Sequence, residues 1–307
     1  MINKKLIFMG TPTVASEYLK TLIMNKIKID AVFTQPPKQK SRGMKISKTP
    51  VHLLAIENEI DVFHPNFFDP VTINKLSKIK PDLIIVMAYG KILPKEILEL
   101  PPYGCINIHV SILPRWRGAA PIEHALMNGD KETGVSIIKL NEKLDAGPII
   151  AQKKIKIPEY SNKLQLTNLL LSSGKKLLID TIPKIINNEI TLKNQNEQLA
   201  TYANKINSET RKIDFNNTSI AVINQIRAHS PKPGAWIDLN KERIKIFDAK
   251  PGFSKGKIST ILNKNFEIGC NDGSIIPLLL QREGKNILTK EEFLRGFNLK
   301  VNETINV

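Results

Sequence analysis

Cysteine is scarce in this 307-residue chain. Cys105 and Cys270 lie far apart, and no CxxC pair or Cys/His cluster occurs. That excludes a zinc ribbon and a disulfide framework, suggests no metal site, and fits a reducing compartment. No apolar run approaches the roughly 20 residues needed to span a bilayer. The apolar stretch after Lys5 stops at Gly10, too short for the core of a secretion signal. The expectation is a soluble, cytoplasmic protein with no membrane partner. Two nucleotide-binding signatures are missing as well. The turn Met9-Gly10-Thr11-Pro12 is not GxGxxG, and no P-loop sequence occurs. Acidic residues are in deficit, 29 against 45 Lys and Arg, for a formal net charge of +16. A basic surface favours a polyanion such as nucleic acid. A chain rich in Lys, Ile and Asn throughout reaches the same charge by composition alone, and neither half stands out.

What is present is a 41% hydrophobic content, ample for a folded core. Short apolar runs alternate with helical spacing. Lys4–Met9 reads as a strand, Val14–Met24 as a helix, Ile27–Phe33 as a strand and Leu53–Glu59 as the tail of a helix. Asp82–Ala88 is nearly continuous apolar sequence, as in a strand buried on both faces. Cys105–His109 and Gly134–Leu140 read as strands and Ala119–Met127 as a helix. The pattern predicts βαβ units in a doubly wound, Rossmann-like parallel sheet. Leu164–Ile186 is a long amphipathic helix. Residues 190–215 are polar and aperiodic, a linker between a catalytic part at 1–189 and a second domain at 216–307. That domain opens on a helix, Thr218–Ala228. Five short strands follow, at Trp236–Leu239, Arg243–Phe247, Lys257–Leu262, Phe266–Cys270 and Ile275–Leu280, then a helix over Lys290–Phe297 capped by Thr289. Five strands broken by Gly and Asn turns predict an OB-like β-barrel.

Asn107 and His109 share one face of their strand, because residues two apart point the same way. They fall at its carboxyl end, where open parallel sheets bind ligands. An amide donor beside an imidazole suits acyl transfer, with the amide on a developing oxyanion and the ring moving protons. A hydrogen-bonded structural pair explains the same two residues equally well. Asp145, in Leu144-Asp145-Ala146-Gly147-Pro148, is either a turn residue or a carboxylate that orients the imidazole. Residues 34–49 carry Lys38, Lys40, Arg42, Lys45 and Lys48 with no acid. This is either a loop that contacts phosphate or a solvated basic loop.

Ala88-Tyr89-Gly90-Lys91-Ile92-Leu93-Pro94, Ile106-Asn107-Ile108-His109, Ser111 through Ile122 (SILPRWRGAAPI) and Leu144-Asp145-Ala146-Gly147 occur in the order and spacing of a known signature set. The likeness continues through Thr201-Tyr202-Ala203, Pro233-Gly234-Ala235-Trp236 and Leu280-Gln281-Arg282-Glu283-Gly284-Lys285. By these motifs the whole chain resembles the methionyl-tRNA formyltransferase family. The resemblance implies an enzyme that moves the formyl group of 10-formyltetrahydrofolate onto the amine of methionyl initiator tRNA, with no metal; a monomer is the expectation. It implies Asn107, His109 and Asp145 as the catalytic set. Ser111, Ile112, Leu113 and Pro114 would line the folate site, and Met87, Ala88, Tyr89, Gly90 and Ile92 would wall the pterin pocket. Lys38, Lys40, Arg42 and Lys45 would touch tRNA. Val14, Pro37, Ser41 and Lys232 depart from the family's pattern.

Overall fold

A computed structural model of the chain describes residues 4–40 and 45–305. In chain order, β1 (Leu6–Gly10) leads through Thr11-Pro12 into α1 (Thr13–Met24), then β2 (Ala31–Phe33). The basic segment holds two short strands, β3 (Lys38–Lys40) and β4 (Lys45–Ser47). Next come α2 (Pro50–Glu57), β5 (Val62–Phe63), α3 (Pro70–Ile79), β6 (Leu83–Met87), α4 (Lys95–Leu98) and β7 (Cys105–His109). Both α2 and α3 begin in the way their sequences dictate. Thr49 and Asp69 accept from the third residue on, and Pro50 and Pro70 occupy the first turn, where no N–H is missed. The chain continues with β8 (Arg117–Gly118), α5 (Pro121–Met127), β9 (Glu132–Lys139), β10 (Ile149–Lys156) and α6 (Lys163–Ile186). After β11 (Tyr202–Ala203) and α7 (Ser219–Ala228) come β12 (Ala235–Leu239), β13 (Glu242–Pro251), β14 (Ile268–Gly269), β15 (Ser274–Arg282), β16 (Leu288–Thr289) and α8 (Lys290–Arg295).

Seven strands form one sheet in the order β10-β9-β7-β6-β1-β2-β5. The inner strands β1 and β6 are buried at every residue, which explains their continuous apolar sequence. The pairs β1–β2, β1–β6, β2–β5 and β6–β7 are parallel. The sheet is not parallel throughout: β9 runs antiparallel to β7, with Ile106 opposite Lys139 and His109 opposite Ser136. The loop that follows β9 is closed by Lys139 N–H to the Pro148 carbonyl at 2.9 Å. Residues 27–30, read as strand, lie outside β2, and the second helix begins at Pro50, ahead of the expected tail.

The chain folds into two compact units. The first takes residues up to Arg117 with Gly134–Ile155 and Leu169–Tyr202. The second takes Gly118–Thr133, Lys156–Asn168 and everything from Ala203 on. Residues 190–215 are well bonded within these units. Lys193 exchanges two backbone hydrogen bonds with Ile149, and Gln225 holds the carbonyls of Thr210 and Lys212.

The second unit carries the antiparallel sheet β12-β13-β15-β14, with β16 added to β15, curled as a half-barrel around Phe215, Ile226, Ile244, Ile246, Phe266 and Leu280. Lys257–Leu262, read as a strand, is instead a turn with single bridges at Thr260 and Ile261. Ser259 and Phe266 adopt left-handed backbone, φ 55° and 58°, which an extended strand cannot accommodate. The fifth strand is Leu288–Thr289. Thr289 also closes a capping box with Glu292 at the start of α8. Among the described residues no helix is long and apolar enough to cross a membrane.

Candidate functional site

His109 ends β7 almost fully buried, 5% exposed, and Asn107 sits two residues before it on the same face. Both meet Asp145 from the β9–β10 loop. Asn107 Nδ2 donates to Asp145 Oδ1 at 3.3 Å, and His109 Nδ1 lies 3.6 Å from Asp145 Oδ2. The other ring nitrogen, Nε2, is 2.8 Å from the Trp116 carbonyl. A carbonyl only accepts, so Nε2 carries a hydrogen. In the neutral ring Nδ1 is then the bare nitrogen, and it faces the carboxylate.

The loops around these three side chains are held by polar contacts that leave little play. Ser136, on β9 opposite His109, donates to the Ser111 carbonyl at 2.6 Å and accepts from Leu113 N–H at 3.1 Å and Gln152 Nε2 at 2.9 Å. Gln152 also donates to the Leu113 carbonyl at 2.9 Å, and Ser111 Oγ to the Arg115 carbonyl at 2.6 Å. The run Ser111, Ile112, Leu113, Pro114 is thereby fixed beside His109. Arg115 stacks on the Trp116 ring, 4.4 Å from its centroid.

Met87 ends β6, the strand next to β7, and residues 88–93 follow it. Met87 and Tyr89 are buried, whereas Ile92 stands 89% exposed. The turn is pinned by Thr11 Oγ1 on the Tyr89 carbonyl at 2.9 Å, and by Gln35 Nε2 on the Tyr89 and Gly90 carbonyls at 3.1 and 3.3 Å. Gly10 is obligatory at the end of β1, since a Cβ there would come within 3.0 Å of Met87 O and closer still to Phe8 and Ala15. Three non-glycine residues of this region, Ala88, Trp116 and Asp145, have φ of 47°, 61° and 47°. Such backbone costs on the order of 1 kcal/mol per residue and gathers at functional sites. The Cys105 thiol, at the start of β7, is pushed up to about 12 by burial and is no nucleophile.

A cavity of about 650 Å³ opens beside the β9–β10 loop, lined by Leu98, Pro101, Gly104, Leu140, Lys143 and Ala146 among others. Ala146 brings it next to Asp145, and its lining mixes apolar residues with Asn141 and the charged Lys95, Glu99, Lys139, Glu142 and Glu197. Among the described residues no group of His, Cys, Asp or Glu is placed to hold a metal ion.

The basic segment departs from a simple loop. β3 and β4 pair as an antiparallel ribbon, Lys38 opposite Ser47 and Lys40 opposite Lys45, above a base closed by Thr34 Oγ1 and Thr49 Oγ1 at 2.7 Å. Lys38 is exposed, and Arg42 lies outside the described residues. Burial, and then the charge of Lys38, lower the pKa of the Lys91 ammonium, which donates to the Pro65 and Asn66 carbonyls.

The structure brings Asn107, His109 and Asp145 together and sets Ser111–Pro114 against them. The residues that pin the loops, Thr11, Gln35, Ser136 and Gln152, escape a reading of the sequence. Each is a common polar side chain whose partner lies 16 to 78 positions away.

Residues 4–182 match the formyl transferase family, and residues 205–298 match the formyl transferase C-terminal domain. A methionyl-tRNA formyltransferase of Kosmotoga olearia is 42% identical over 302 residues, covering 93% of this chain and 94% of that protein. One from Pelagibacter ubique is 40% identical over 301 residues, covering 96% of each. The chain belongs to the methionyl-tRNA formyltransferase family. It is an enzyme that transfers a formyl group. Among solved structures, an N-formyltransferase from Helicobacter canadensis, in complex with folinic acid and dTDP-3-aminofucose, superposes with a TM-score of 0.69 at 25% identity, covering 91% of this chain and 99% of that one.

Proposed function

We infer that the protein transfers the formyl group of 10-formyltetrahydrofolate to the α-amino group of methionyl initiator tRNA. The observation that carries this reading is the near-complete match to methionyl-tRNA formyltransferases, together with the meeting of Asn107, His109 and Asp145 under one loop. In sequence order we assign catalysis to residues 1–189, a connection to 190–215 and RNA holding to 216–307. The enzyme works as a cytoplasmic monomer, without metal or membrane.

The folate supplies an electrophilic formyl carbon held in an amide to N10. The amine lone pair forms the new C–N bond, the bond to N10 breaks, and one amine proton ends on N10. Asn107 has two N–H groups. One goes to Asp145, and the other serves the oxygen that gains charge during attack. His109 Nδ1 takes the proton from the amine and returns it to N10, and the Asp145 carboxylate stabilises the charged ring in between. Ser111, Ile112, Leu113 and Pro114 line the folate path. Met87, Ala88, Tyr89, Gly90 and Ile92 bound the pterin end. Holding both substrates in register supplies much of the remaining rate.

Arg42, with Lys38, Lys40 and Lys45, contacts tRNA phosphate. Arg42→Ala lowers kcat/KM for the tRNA and reduces the salt slope of binding by about one; an unchanged slope removes Arg42 from the interface. The deciding experiment is a transfer assay with radiolabelled methionyl-tRNA and 10-formyltetrahydrofolate, comparing initiator with elongator tRNA. Formylation of the initiator alone establishes the reaction. Folded, folate-binding protein that formylates neither tRNA moves the acceptor to a small amine.

A further inference from the structure

The polar stretch ahead of β11 carries a side chain that reaches the Asp145 loop. Gln195 Nε2 donates to the Asp145 carbonyl at 2.8 Å and to the Gly147 carbonyl at 2.7 Å. Its Oε1 accepts from Arg117 Nε at 3.1 Å and Nη2 at 2.8 Å. Arg117 is only 1% exposed and turns its remaining edge on Glu197, with Nη1 to Oε2 and Nη2 to Oε1 both at 2.8 Å. The Glu197 carboxylate raises the pKa of the Arg117 guanidinium, and Arg117 in turn lowers that of Glu197.

Donor and acceptor chemistry leaves Gln195 a single orientation. A guanidinium only donates, so the amide oxygen faces Arg117. The two backbone carbonyls only accept, so the NH₂ faces them and both its hydrogens are used. The carbonyls it holds flank Ala146, on a turn in which Asp145 has φ 47°. Gly147 is packed so closely that a Cβ would sit 1.8 Å from the Lys139 carbonyl oxygen. The turn is thus pressed against β9 on one side and tied to Gln195 on the other.

We propose that Gln195, oriented by the Arg117–Glu197 pair, is a positioning residue of the active site. It holds the left-handed turn that aims the Asp145 carboxylate at Asn107 and His109. It touches no reacting atom, and its role rests on the reading of Asp145 as part of the catalytic set.

The test uses full-length enzyme and the variants Gln195→Glu and Gln195→Ala, alone and in an Asp145→Ala background. Gln195→Glu keeps an acceptor for Arg117 and removes both donors to the turn. It lowers kcat roughly 100-fold, the scale for ångström-level misplacement, and leaves KM for both substrates within about twofold. In the Asp145→Ala background the same change costs less than about twofold further, because its route runs through Asp145. In substrate-free enzyme with ¹⁵N-labelled histidine, the His109 ring resonances move in both Gln195→Ala and Gln195→Glu while those of His52, buried in the same compact unit, stay in place, a pattern that general loosening of the fold does not produce. Folded Gln195 variants with kcat within about threefold of the parent, effects that multiply in the Asp145→Ala background, or unmoved His109 resonances would each overturn the proposal. If Asp145→Ala itself keeps full turnover, the catalytic set is wrong and the proposal goes with it. In that case the His109 resonances still report whether Gln195 places the turn, so the two failures are told apart.

Discussion

Each compact unit buries a carboxylate, and the two are held in opposite ways. Glu267, 4% exposed in the half-barrel, is saturated. Its Oε1 accepts from the Phe253 and Ser254 backbone N–H groups and the Ser274 hydroxyl, each at 2.6 Å, and its Oε2 from Ser254 Oγ at 2.8 Å and Asn263 Nδ2 at 2.7 Å. Burial alone would raise its pKa; these donors override burial and hold it down to about 2. Asp145, 9% exposed, faces Asn107 and His109 at 3.3 and 3.6 Å, longer than bonds that hold a fold together. Its place is set by its backbone, through Gln195 and Gly147. Short, numerous bonds to the carboxylate mark a carboxyl given over to architecture. A carboxyl held from behind by its own loop keeps its oxygens turned toward Asn107 and His109, the groups we propose for catalysis.

The sharpest way to break this contrast is to remove the carboxylate. Asp145→Ala and His109→Ala lower single-turnover rates on the order of 10³-fold, with tRNA affinity nearly unchanged by filter binding. Near-normal turnover would make Asp145 a second Glu267. Glu267→Ala does the reverse. It strands two backbone N–H groups and costs on the order of 3 kcal/mol in urea unfolding, while kcat holds at temperatures where the protein stays folded. A kcat loss without a stability loss would end the distinction.

Acid sharpens the contrast further. Because the pKa of Glu267 is depressed on folding, its stabilisation is complete above the ordinary 4.5 and is lost as pH falls from there towards 2. Glu267→Gln removes that part of the pH dependence of unfolding; an unchanged acid slope refutes the assignment. His229, wholly buried, is lowered to about 4, first by burial. The unfolded chain binds a proton there between 6.5 and about 4 and the native state does not, so stability is lost as pH drops from 6.5 towards 4. His229→Phe flattens the slope above pH 4 and leaves the Glu267 step in place.

The fold was legible where one physical rule acts alone. β1 and β6 announce themselves because strands buried on both faces must be apolar. Thr289 reads as a cap because the capping box is local. β10 hides because its middle, Gln152-Lys153-Lys154, is polar, as an edge strand permits. Lys257–Leu262 misleads because β-branched residues there support a turn whose left-handed Ser259 no periodicity reveals. In the site, period-two alternation put Asn107 and His109 on one face. Asp145 needed the family resemblance, since nothing local says that a β9–β10 loop folds back onto β7. Gln195 lies 50 positions from Asp145 and 78 from Arg117 and gave no signal at all.

The division of the chain bears on how such a protein can be inherited. The polypeptide passes between the two compact units five times, and the second unit claims Gly118–Thr133 and Lys156–Asn168 from the middle of the sequence. Helix α5, in the first of those stretches, packs on α7. A gene exchange that replaced everything after Ala203 would seat a foreign α7 against a resident α5. The C-terminal third is therefore no interchangeable cassette, and changes that alter α7 select for matching changes about a hundred codons upstream.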